Sequence, residues 1–251
     1  MDNNGIVSYK NLNEKNITLT LTDLLLNSPI PKDQLLENLG LFLSSKELSR
    51  LLFMHHLYAQ ILSVHGAVWE FGTRWGNNLA LFHTCRSIYE PFAARTRPLV
   101  GFDTFTGFPD IDEKDGQGTL MKPGNIATAE NYELILEKIL NLHEQENPLS
   151  HIKKFEIVKG DVNNTVPHYL QEHPETILAM IYFDMDLYAP TKNMLALLKP
   201  RFVKGTVLGF DEAGDQGAPG VTLAIMETLG LNHIRLQRLP VCSRTSYCII
   251  E

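Results

Sequence analysis

The sequence lacks any basic stretch and any long apolar run. Its 22 Lys and Arg residues against 29 Asp and Glu give a formal net charge of −7, a balance that argues against a nucleic-acid-binding surface. No apolar run reaches the roughly 18 residues that a membrane-spanning helix needs, and residues 1–15 are polar, unlike a signal peptide. We therefore expect a cytoplasmic protein whose partners include neither nucleic acid nor a membrane.

Cysteine is scarce as well. Cys85, Cys242 and Cys248 have no Cys-x-x-Cys spacing and no histidine cluster nearby, so we interpret them as free thiols, mostly in the core. The Gly-x-Gly-x-x-Gly fingerprint of dinucleotide-binding proteins is also missing. The chain of 251 residues is 44% apolar and 20% charged, which is typical of one globular unit with a large core.

From residue 66 onward, apolar segments alternate between strand and helix patterns, as in a parallel sheet covered on both faces. The predicted strands are 66–71, 98–102, 153–158, 177–183 and 205–210, followed by a short antiparallel pair at 234–239 and 245–250. The predicted helices are 76–89, 130–144, 165–172, 190–198 and 219–229. We therefore expect an α/β, Rossmann-like fold with a seven-stranded, mostly parallel sheet and helices on both faces.

Residues 1–62 precede this alternation and are predicted to form an N-terminal helical cap on a domain that spans residues 63–251. Ser44 or Ser45 can cap a helix that runs to residue 62. Its apolar side chains repeat with helical spacing and predict one buried stripe, formed by Leu48, Leu51, Leu52, His55, Tyr58 and Leu62.

Three further apolar residues of this helix, Phe53, Met54 and Leu57, lie outside the predicted stripe. If the stripe packs on the domain, these side chains are left exposed, and exposed apolar patches mark interaction surfaces. We therefore expect a second subunit to cover them, in a homo-oligomer that is at least a dimer.

The segment Val-Trp-Glu-Phe-Gly-Thr-Arg-Trp-Gly, residues 68–76, has the pattern of a buried strand, a glycine-rich turn and the start of a helix. Gly72 permits the tight turn, Gly76 lets the backbone approach a ligand, and Glu70 offers a carboxylate to polar ligand groups. A carboxylate here suits a cation better than it suits a pyrophosphate. S-adenosylmethionine, a nucleoside with an ammonium and a sulfonium group, fits this requirement.

Acidic residues follow the predicted strands. Because the carboxyl ends of parallel strands share one edge of a sheet, these side chains should converge where ligands bind. Their mutual repulsion would then be relieved by a cationic ligand or a metal ion. Any one of them could instead be an ordinary helix cap, but all of them together favour a site. The residues are Glu70, Asp103, Asp161, Asp184 and Asp211.

Four motifs occur together in the chain. They are Glu-Phe-Gly-Thr-Arg-Trp-Gly at 70–76, Val-Gly-Phe-Asp-Thr-Phe-Thr-Gly-Phe-Pro at 100–109, Phe-Asp-Met-Asp-Leu-Tyr-Ala-Pro-Thr at 183–191 and Gly-Thr-Val-Leu-Gly-Phe-Asp-Glu at 205–212. In this combination the chain resembles the macrocin O-methyltransferase family, and most of all its branch acting on antibiotic deoxysugars. The resemblance covers about residues 45–250 and implies a class I S-adenosylmethionine-dependent methyltransferase fold. It also implies methyl transfer to a sugar hydroxyl of a nucleotide sugar or a glycosylated natural product.

The resemblance implies a particular cofactor site. Glu70 and Gly72 would hold the methionine end of S-adenosylmethionine, and Asp103 would accept hydrogen bonds from its ribose hydroxyls. Asp161 and Val162 would lie beside the adenine. The other cofactor-binding residues that it implies are Thr73, Gly76, Thr104 and Asp184.

It also implies that Asp184, Asp211 and Glu212 bind a divalent metal ion such as Mg²⁺, since all three offer hard oxygen donors. Such an ion would acidify a sugar hydroxyl and fix its angle to the methyl group. Residue 187 is leucine, so the lysine base of catechol-type methyltransferases is absent and Asp184 is the candidate proton acceptor. Asp186 is either an orienting group or a substrate contact.

Other functions are open at this point. The same fold could methylate a catechol or another vicinal diol. An NAD-dependent oxidoreductase of nucleotide sugars is a further alternative, against which the missing Gly-x-Gly-x-x-Gly and Tyr-x-x-x-Lys patterns argue. A non-catalytic nucleotide-binding module is disfavoured because the metal-type carboxylates are present.

The predicted connection over residues 104–127 is longer than an ordinary strand-to-helix loop, and such loops are commonly lids or binding loops. We expect it to close over the acceptor, with glycines as hinges. Its charged residues make it too polar for the core; they are Asp110, Asp112, Glu113, Asp115 and Lys122.

Overall fold

The computed structural model describes residues 11–92 and 94–251. Its seven α-helices and six strands alternate after an N-terminal helical segment. The helices are α1 (Leu12–Leu26), α2 (Ser45–Gln60), α3 (Asn77–Tyr89), α4 (Tyr132–Gln145), α5 (Val162–Glu172), α6 (Tyr188–Leu198) and α7 (Pro219–Thr228). The strands are β1 (Ala67–Phe71), β2 (Leu99–Asp103), β3 (Phe155–Lys159), β4 (Leu178–Phe183), β5 (Phe202–Phe210) and β6 (Ser246–Ile249).

The strands form a single mixed sheet in the order β3-β2-β1-β4-β5-β6. Strands β1 to β5 pair in parallel, and β6 pairs antiparallel with β5. The chain order reverses at β1, which lies between β2 and β4. This is the α/β, Rossmann-like fold of class I methyltransferases that the sequence predicts, with a topological switch point at β1.

The prediction of seven strands is wrong for the described residues. Residues 234–239 do not form a strand, although they run beside β6. Gln237 and Tyr247 exchange both backbone hydrogen bonds, at 2.7 and 2.9 Å, in an isolated bridge. The Leu239 carbonyl accepts from the Cys242 N–H at 3.1 Å in a turn that follows closely. The pairing is limited to one residue and does not extend into a ladder.

Each face of the sheet is covered by helices, which gives two hydrophobic cores. On one face α2, α3 and α4 pack around Val68, Tyr182 and Val207. On the other, α5, α6 and α7 pack around Trp69 and Ile181. All five residues of β1 are buried because the strand lies in the middle of the sheet with both faces covered.

Helix α2 buries a different face from the predicted one. Ser44 is its N-cap, as expected, and its side chain accepts from the Lys46 N–H. However, Phe53, Met54 and Leu57 are fully buried in the core, so the expectation that they are left for a second subunit is wrong. The predicted stripe is partly solvent-facing, with Leu48 and Leu52 both exposed.

The helix carries apolar residues around most of its circumference, so the sequence pattern could not select the buried face. Packing against β5 selects it, since the space above Gly209 admits the Leu57 side chain: a Cβ at Gly209 would lie 2.9 Å from Leu57 Cδ1. Helix α2 thus belongs to the main core. Dimerisation stays a prediction, but the apolar residues of α2 at positions 53, 54 and 57 no longer support it, because they are buried.

Residues 11–44 contribute nothing to either core. Helix α1 begins at a capping box formed by Asn11 and Glu14, yet it has no buried residue. Several of its apolar side chains are exposed. Residues 1–10, the rest of the predicted cap, lie outside the described residues. The described part of the cap therefore divides into an exposed segment and α2.

Two smaller expectations concern the thiols and the membrane. Cys85, Cys242 and Cys248 are free and buried, as the sequence predicts. None of the described helices combines the length and the hydropathy that crossing a bilayer requires.

Because Phe53 is fully buried, we expect Phe53→Ala to lower the free energy of unfolding by about 3–5 kcal/mol, through lost transfer energy and the cavity left behind. Leu52→Ala, on the exposed side of the same helix, is the matched control and should cost less than about 1 kcal/mol. Urea unfolding followed by circular dichroism measures both. Equal losses would contradict the burial of this face.

Candidate active site

The register of the sheet brings the acidic strand ends together. Phe71 of β1 pairs with Phe102 of β2 and Phe183 of β4, and Phe183 pairs with Phe210 of β5. The residues just beyond these positions share one edge of the sheet. The acids there lie at the switch point, where open α/β sheets bind ligands.

Gly72 ends β1 in a turn that only glycine can make. Its φ is 82°, and a Cβ would lie 1.8 Å from the Asp184 carbonyl oxygen. Gly76 also has a positive φ, of 78°, and caps α3, but a Cβ there would lie 2.1 Å from Leu136 of α4. Gly76 therefore permits close helix packing, whereas the sequence suggested that it lets the backbone approach a ligand.

A cavity of about 380 Å³ opens at this edge, within the size range of small-molecule sites. It contains no histidine or cysteine among its lining residues. Most of the predicted cofactor residues line it. They are Gly72, Thr73, Asp103, Thr104, Asp161, Val162 and Asp184. Glu70 and Gly76 do not.

Glu70 lies below the cavity, fully buried. Its two carboxylate oxygens accept no well-formed hydrogen bond from any described residue. Burial, reinforced by the nearby Asp184 carboxylate, raises the pKa of Glu70 well above its ordinary value. Asn78 is close enough to offset part of this rise, but it makes no well-formed hydrogen bond with Glu70. A buried carboxylate in that position is costly unless a ligand supplies a donor. Glu70 is thus suited to receive a cationic group.

Asp103 lines the cavity and accepts hydrogen bonds from two backbone N–H groups. Its Oδ2 accepts from the Arg74 N–H at 2.7 Å and its Oδ1 from the Phe105 N–H at 2.5 Å. Burial raises the pKa of this carboxyl despite these bonds. Asp161 is the N-cap of α5, where its side chain accepts from the Asn163 N–H. Both acids therefore have a local structural role and also face the cavity.

Asp184, Asp211 and Glu212 form a tight group: one carboxylate oxygen of each lies within 4.8 Å of those of the other two. Burial and the neighbouring Asp211 raise the pKa of Asp184 well above its ordinary value. Burial also raises the pKa of Glu212. For Asp211 the effect of burial is outweighed, chiefly by Arg50, and its pKa is lowered. The structure thus brings together the three residues that the resemblance implies for a metal.

The sequence analysis missed four residues that surround this acidic group. Arg50 of α2 pairs with Asp184 at 2.9 Å and with Asp211. Asn78 donates to Asp184 at 3.1 Å, Tyr182 donates to Asp211 at 2.6 Å, and Arg244 pairs with Glu212 at 3.2 Å. These side chains come from four separate elements or loops. For Arg50 the sequence carries no distinguishing signal, because Lys46 and Glu47 precede it in the same predicted helix.

Asp186 also faces the cavity. Its backbone has φ 59°, in the left-handed region that side-chain-bearing residues seldom adopt. Burial raises the pKa of its carboxyl to about 6. Strained backbone of this kind clusters at functional sites, so Asp186 is a second candidate for proton transfer.

The segment 104–127 forms one wall of the cavity through Gly107, Phe108 and Leu120, among others. It has a small core of its own, in which Phe108 and Met121 pack against Leu187 and Ala218. Contrary to the expectation that its charges keep it out of the core, Asp115 is buried and accepts the Tyr188 N–H. The loop is thus anchored to the segment that follows Asp184.

Solved structures similar to the whole chain agree with this geometry. CalS11, the calicheamicin methyltransferase, is 41% identical, with a TM-score of 0.93 over 96% of this chain and 94% of that one. An apo structure of CalS11, a TDP-rhamnose 3'-O-methyltransferase of calicheamicin biosynthesis, is 37% identical, with a TM-score of 0.85 and 96% of both chains covered. The O-methyltransferase NovP shares the fold at 19% identity, with a TM-score of 0.62 over 80% and 79% of the chains. Neither a protein-family model nor a curated protein sequence matches.

Identity above one third over nearly the full length of both chains is far beyond what a common fold alone requires. The chain therefore belongs to the macrocin O-methyltransferase family of sugar methyltransferases and is an S-adenosylmethionine-dependent O-methyltransferase.

Proposed function

We propose that this enzyme methylates a hydroxyl of a sugar carried by a nucleotide or by a natural product, with the help of a divalent metal ion. The observation that carries the proposal is the 37–41% identity to CalS11, which acts on TDP-rhamnose. The acidic group of Asp184, Asp211 and Glu212 supports the part of the proposal that concerns the metal.

The cofactor is proposed to lie along the ends of β1 and β2. The buried carboxylate of Glu70, which makes no well-formed hydrogen bond with the described residues, would receive its ammonium group. Asp103 lines the cavity at the end of the neighbouring strand and is placed to accept from the ribose hydroxyls. Asp161 and the apolar side chain of Val162 begin α5, one strand further, beside the adenine. Thr73 and Thr104 complete this surface.

The residues of the acidic group fit a divalent metal ion. Carboxylate oxygens are the donors that Mg²⁺ prefers, and three of them lie within 4.8 Å of one another. Glu212 Oε2 is buried and has no hydrogen-bond partner among the described residues. When bound, such an ion lowers the pKa of a hydroxyl in contact with it and restricts the orientation of a diol.

The chain's own carboxylates would remove the proton from the acceptor hydroxyl. Asp184 lines the cavity beside the proposed acceptor position, and its carboxylate is the proposed proton acceptor. Asn78 donates to Asp184 Oδ2 and fixes its orientation. Asp186, with a pKa raised to about 6 by burial, is the second candidate and is near enough to raise the pKa of Asp184.

One arginine of the cavity wall is suited to bind an anionic acceptor. Arg50 and Arg244 pair with acidic residues, whereas Arg74 lines the cavity and its Nε has no hydrogen-bond partner among the described residues. Guanidinium groups bind phosphate with paired hydrogen bonds. This supports a nucleotide-linked sugar over a neutral glycoside.

A catechol or another vicinal diol is the second candidate acceptor, because the acidic group could serve any diol. The oxidoreductase alternative falls with the family assignment. A cytoplasmic location, a homo-oligomer and closure of the 104–127 segment over the acceptor remain proposals.

Glu70→Gln should weaken S-adenosylmethionine binding by about 1–3 kcal/mol, the cost of losing a charge-assisted hydrogen bond. Because the pKa of Glu70 is raised in the free enzyme, the wild type must release a proton to form the pair. Its affinity should therefore fall as the pH is lowered from about 8 to about 5, and this dependence should be weaker in Glu70→Gln. Calorimetry measures both, with Glu137→Gln on the exposed face of α4 as control. An unchanged affinity in Glu70→Gln would refute the assignment.

Asp211→Asn and Glu212→Gln should lower kcat at least about a hundredfold while S-adenosylmethionine affinity stays within about threefold, because both residues would act on the acceptor side. EDTA should reproduce the loss in the wild type. Asp215→Asn is the matched control, since Asp215 pairs with Arg244 but lies outside the acidic group. Full turnover in excess EDTA would exclude the metal ion.

The acceptor can be assigned directly by mass spectrometry of products after incubation with S-adenosylmethionine. We expect a methylated TDP-deoxysugar, with a lower KM than that of the same sugar as a neutral glycoside. Arg74→Gln should raise KM for the nucleotide sugar more than for the glycoside. Efficient methylation of catechol with no reaction on either sugar would replace the sugar by the alternative acceptor.

A further inference from the structure

The side chain of Arg50 reaches from α2 into the acidic group. Its Nη2 lies 2.9 Å from Asp184 Oδ2, and its Nη1 contacts Asp211 Oδ1. Its Nε donates to Asn78 Oδ1 at 3.2 Å, and the guanidinium lies 5.7 Å from the centre of the Tyr182 ring. One guanidinium therefore bridges two of the three proposed metal ligands.

We propose that Arg50 is the resident counter-cation of the metal site and competes with the metal ion for Asp184 and Asp211. The inference rests on the proposed metal-dependent function. It adds that the carboxylates are already paired within the chain and that Arg50 must withdraw before both can coordinate an ion.

Arg50 and its neighbours already occupy one oxygen of each carboxylate. Asp211 Oδ1 accepts from Arg50 and from the Tyr182 hydroxyl. Asp184 Oδ2 accepts from Arg50 and from Asn78. A metal ion therefore gains these two oxygens only by displacing a donor. Mg²⁺ requires oxygen ligands at about 2.1 Å in near-octahedral geometry. Arg50 contacts both Asp184 and Asp211, so a metal ion held by these carboxylates would be close to the guanidinium, and two like charges in a partly buried site repel.

Glu212 provides the independent evidence that the group awaits a further ligand. Arg244 contacts its Oε1. Its Oε2 is buried and makes no well-formed hydrogen bond with the described residues, and Asp186 and Asp211, which approach the same carboxyl, are themselves acids. Arg50 thus neutralises two members of the group and leaves the third incomplete. A cation that reaches all three would satisfy what Arg50 cannot.

Arg50 is able to leave without unfolding the helix. Its side chain is 28% exposed, and it belongs to the N-terminal half of α2. The following residues Phe53, Met54 and Leu57 anchor the helix in the core. Rotation of the side chain therefore suffices to free the carboxylates. The apparent affinity for metal then equals the intrinsic affinity multiplied by the fraction of molecules in which Arg50 is unpaired.

Binding of Mn²⁺ tests this competition without an activity assay. Electron paramagnetic resonance of free Mn²⁺ gives the dissociation constant for each protein in the absence of cofactor and acceptor. We expect Arg50→Gln to bind Mn²⁺ at least about tenfold more tightly than the wild type, as it would if Arg50 is paired in nine molecules of ten. Arg74→Gln removes the same charge from the same cavity without freeing a carboxylate, and its affinity should change by less than about threefold.

Arg50→Lys keeps the charge but presents a single point donor in place of a fork, and its affinity should lie between those of the wild type and Arg50→Gln. It also decides the question if Arg50→Gln fails to fold, as judged by circular dichroism. If the Arg50 variants bind Mn²⁺ as weakly as the wild type or more weakly, the proposed competition is refuted, whereas the proposed metal site is not. If neither the wild type nor the Arg50 variants bind Mn²⁺, the inference and the metal part of the proposed function both fail.

Discussion

The constraint on which this structure depends is the burial of acidic side chains at one edge of a parallel sheet. Asp184, Asp211 and Glu212 end two adjacent central strands and lie within a few ångströms of one another. Buried charges without partners cost several kcal/mol each. Ion pairs with Arg50 and Arg244 offset part of this cost. Ligands are expected where carboxylate oxygens are left without a well-formed hydrogen bond.

This constraint explains why α2 belongs to the catalytic unit and is more than a cap. Its buried face, with Phe53 and Leu57, fixes the helix against the sheet, and that placement aims Arg50 at Asp184 and Asp211. Packing and electrostatics are therefore coupled in one helix. Any change that shifts α2 also changes the charge balance of the site.

The segment between β2 and α4 shows a similar coupling on the opposite wall. Its small apolar cluster includes Leu187, and its buried Asp115 accepts from the Tyr188 backbone. Both contacts lie within four residues of Asp184. The loop that walls the cavity is thus tied to the backbone that carries the proposed proton acceptor, so a substrate that orders one segment is expected to order the other.

The sequence by itself determined the fold class, the strand-end acids and the glycine turn, because these depend on local patterns: hydrophobic period, turn chemistry and motif spacing. It also placed Asp184 and Asp211 on one edge, since parallel strands must end together, and the resemblance to the family added Glu212 to them as a metal-binding group. Only the tertiary structure decided which face of α2 is buried, that residues 234–239 make one bridge at Gln237 instead of a seventh strand, and that Arg50 reaches carboxylates 134 and 161 residues away. Those outcomes depend on which surfaces meet in space, and a one-dimensional pattern with apolar residues on several helix faces carries no information about that choice.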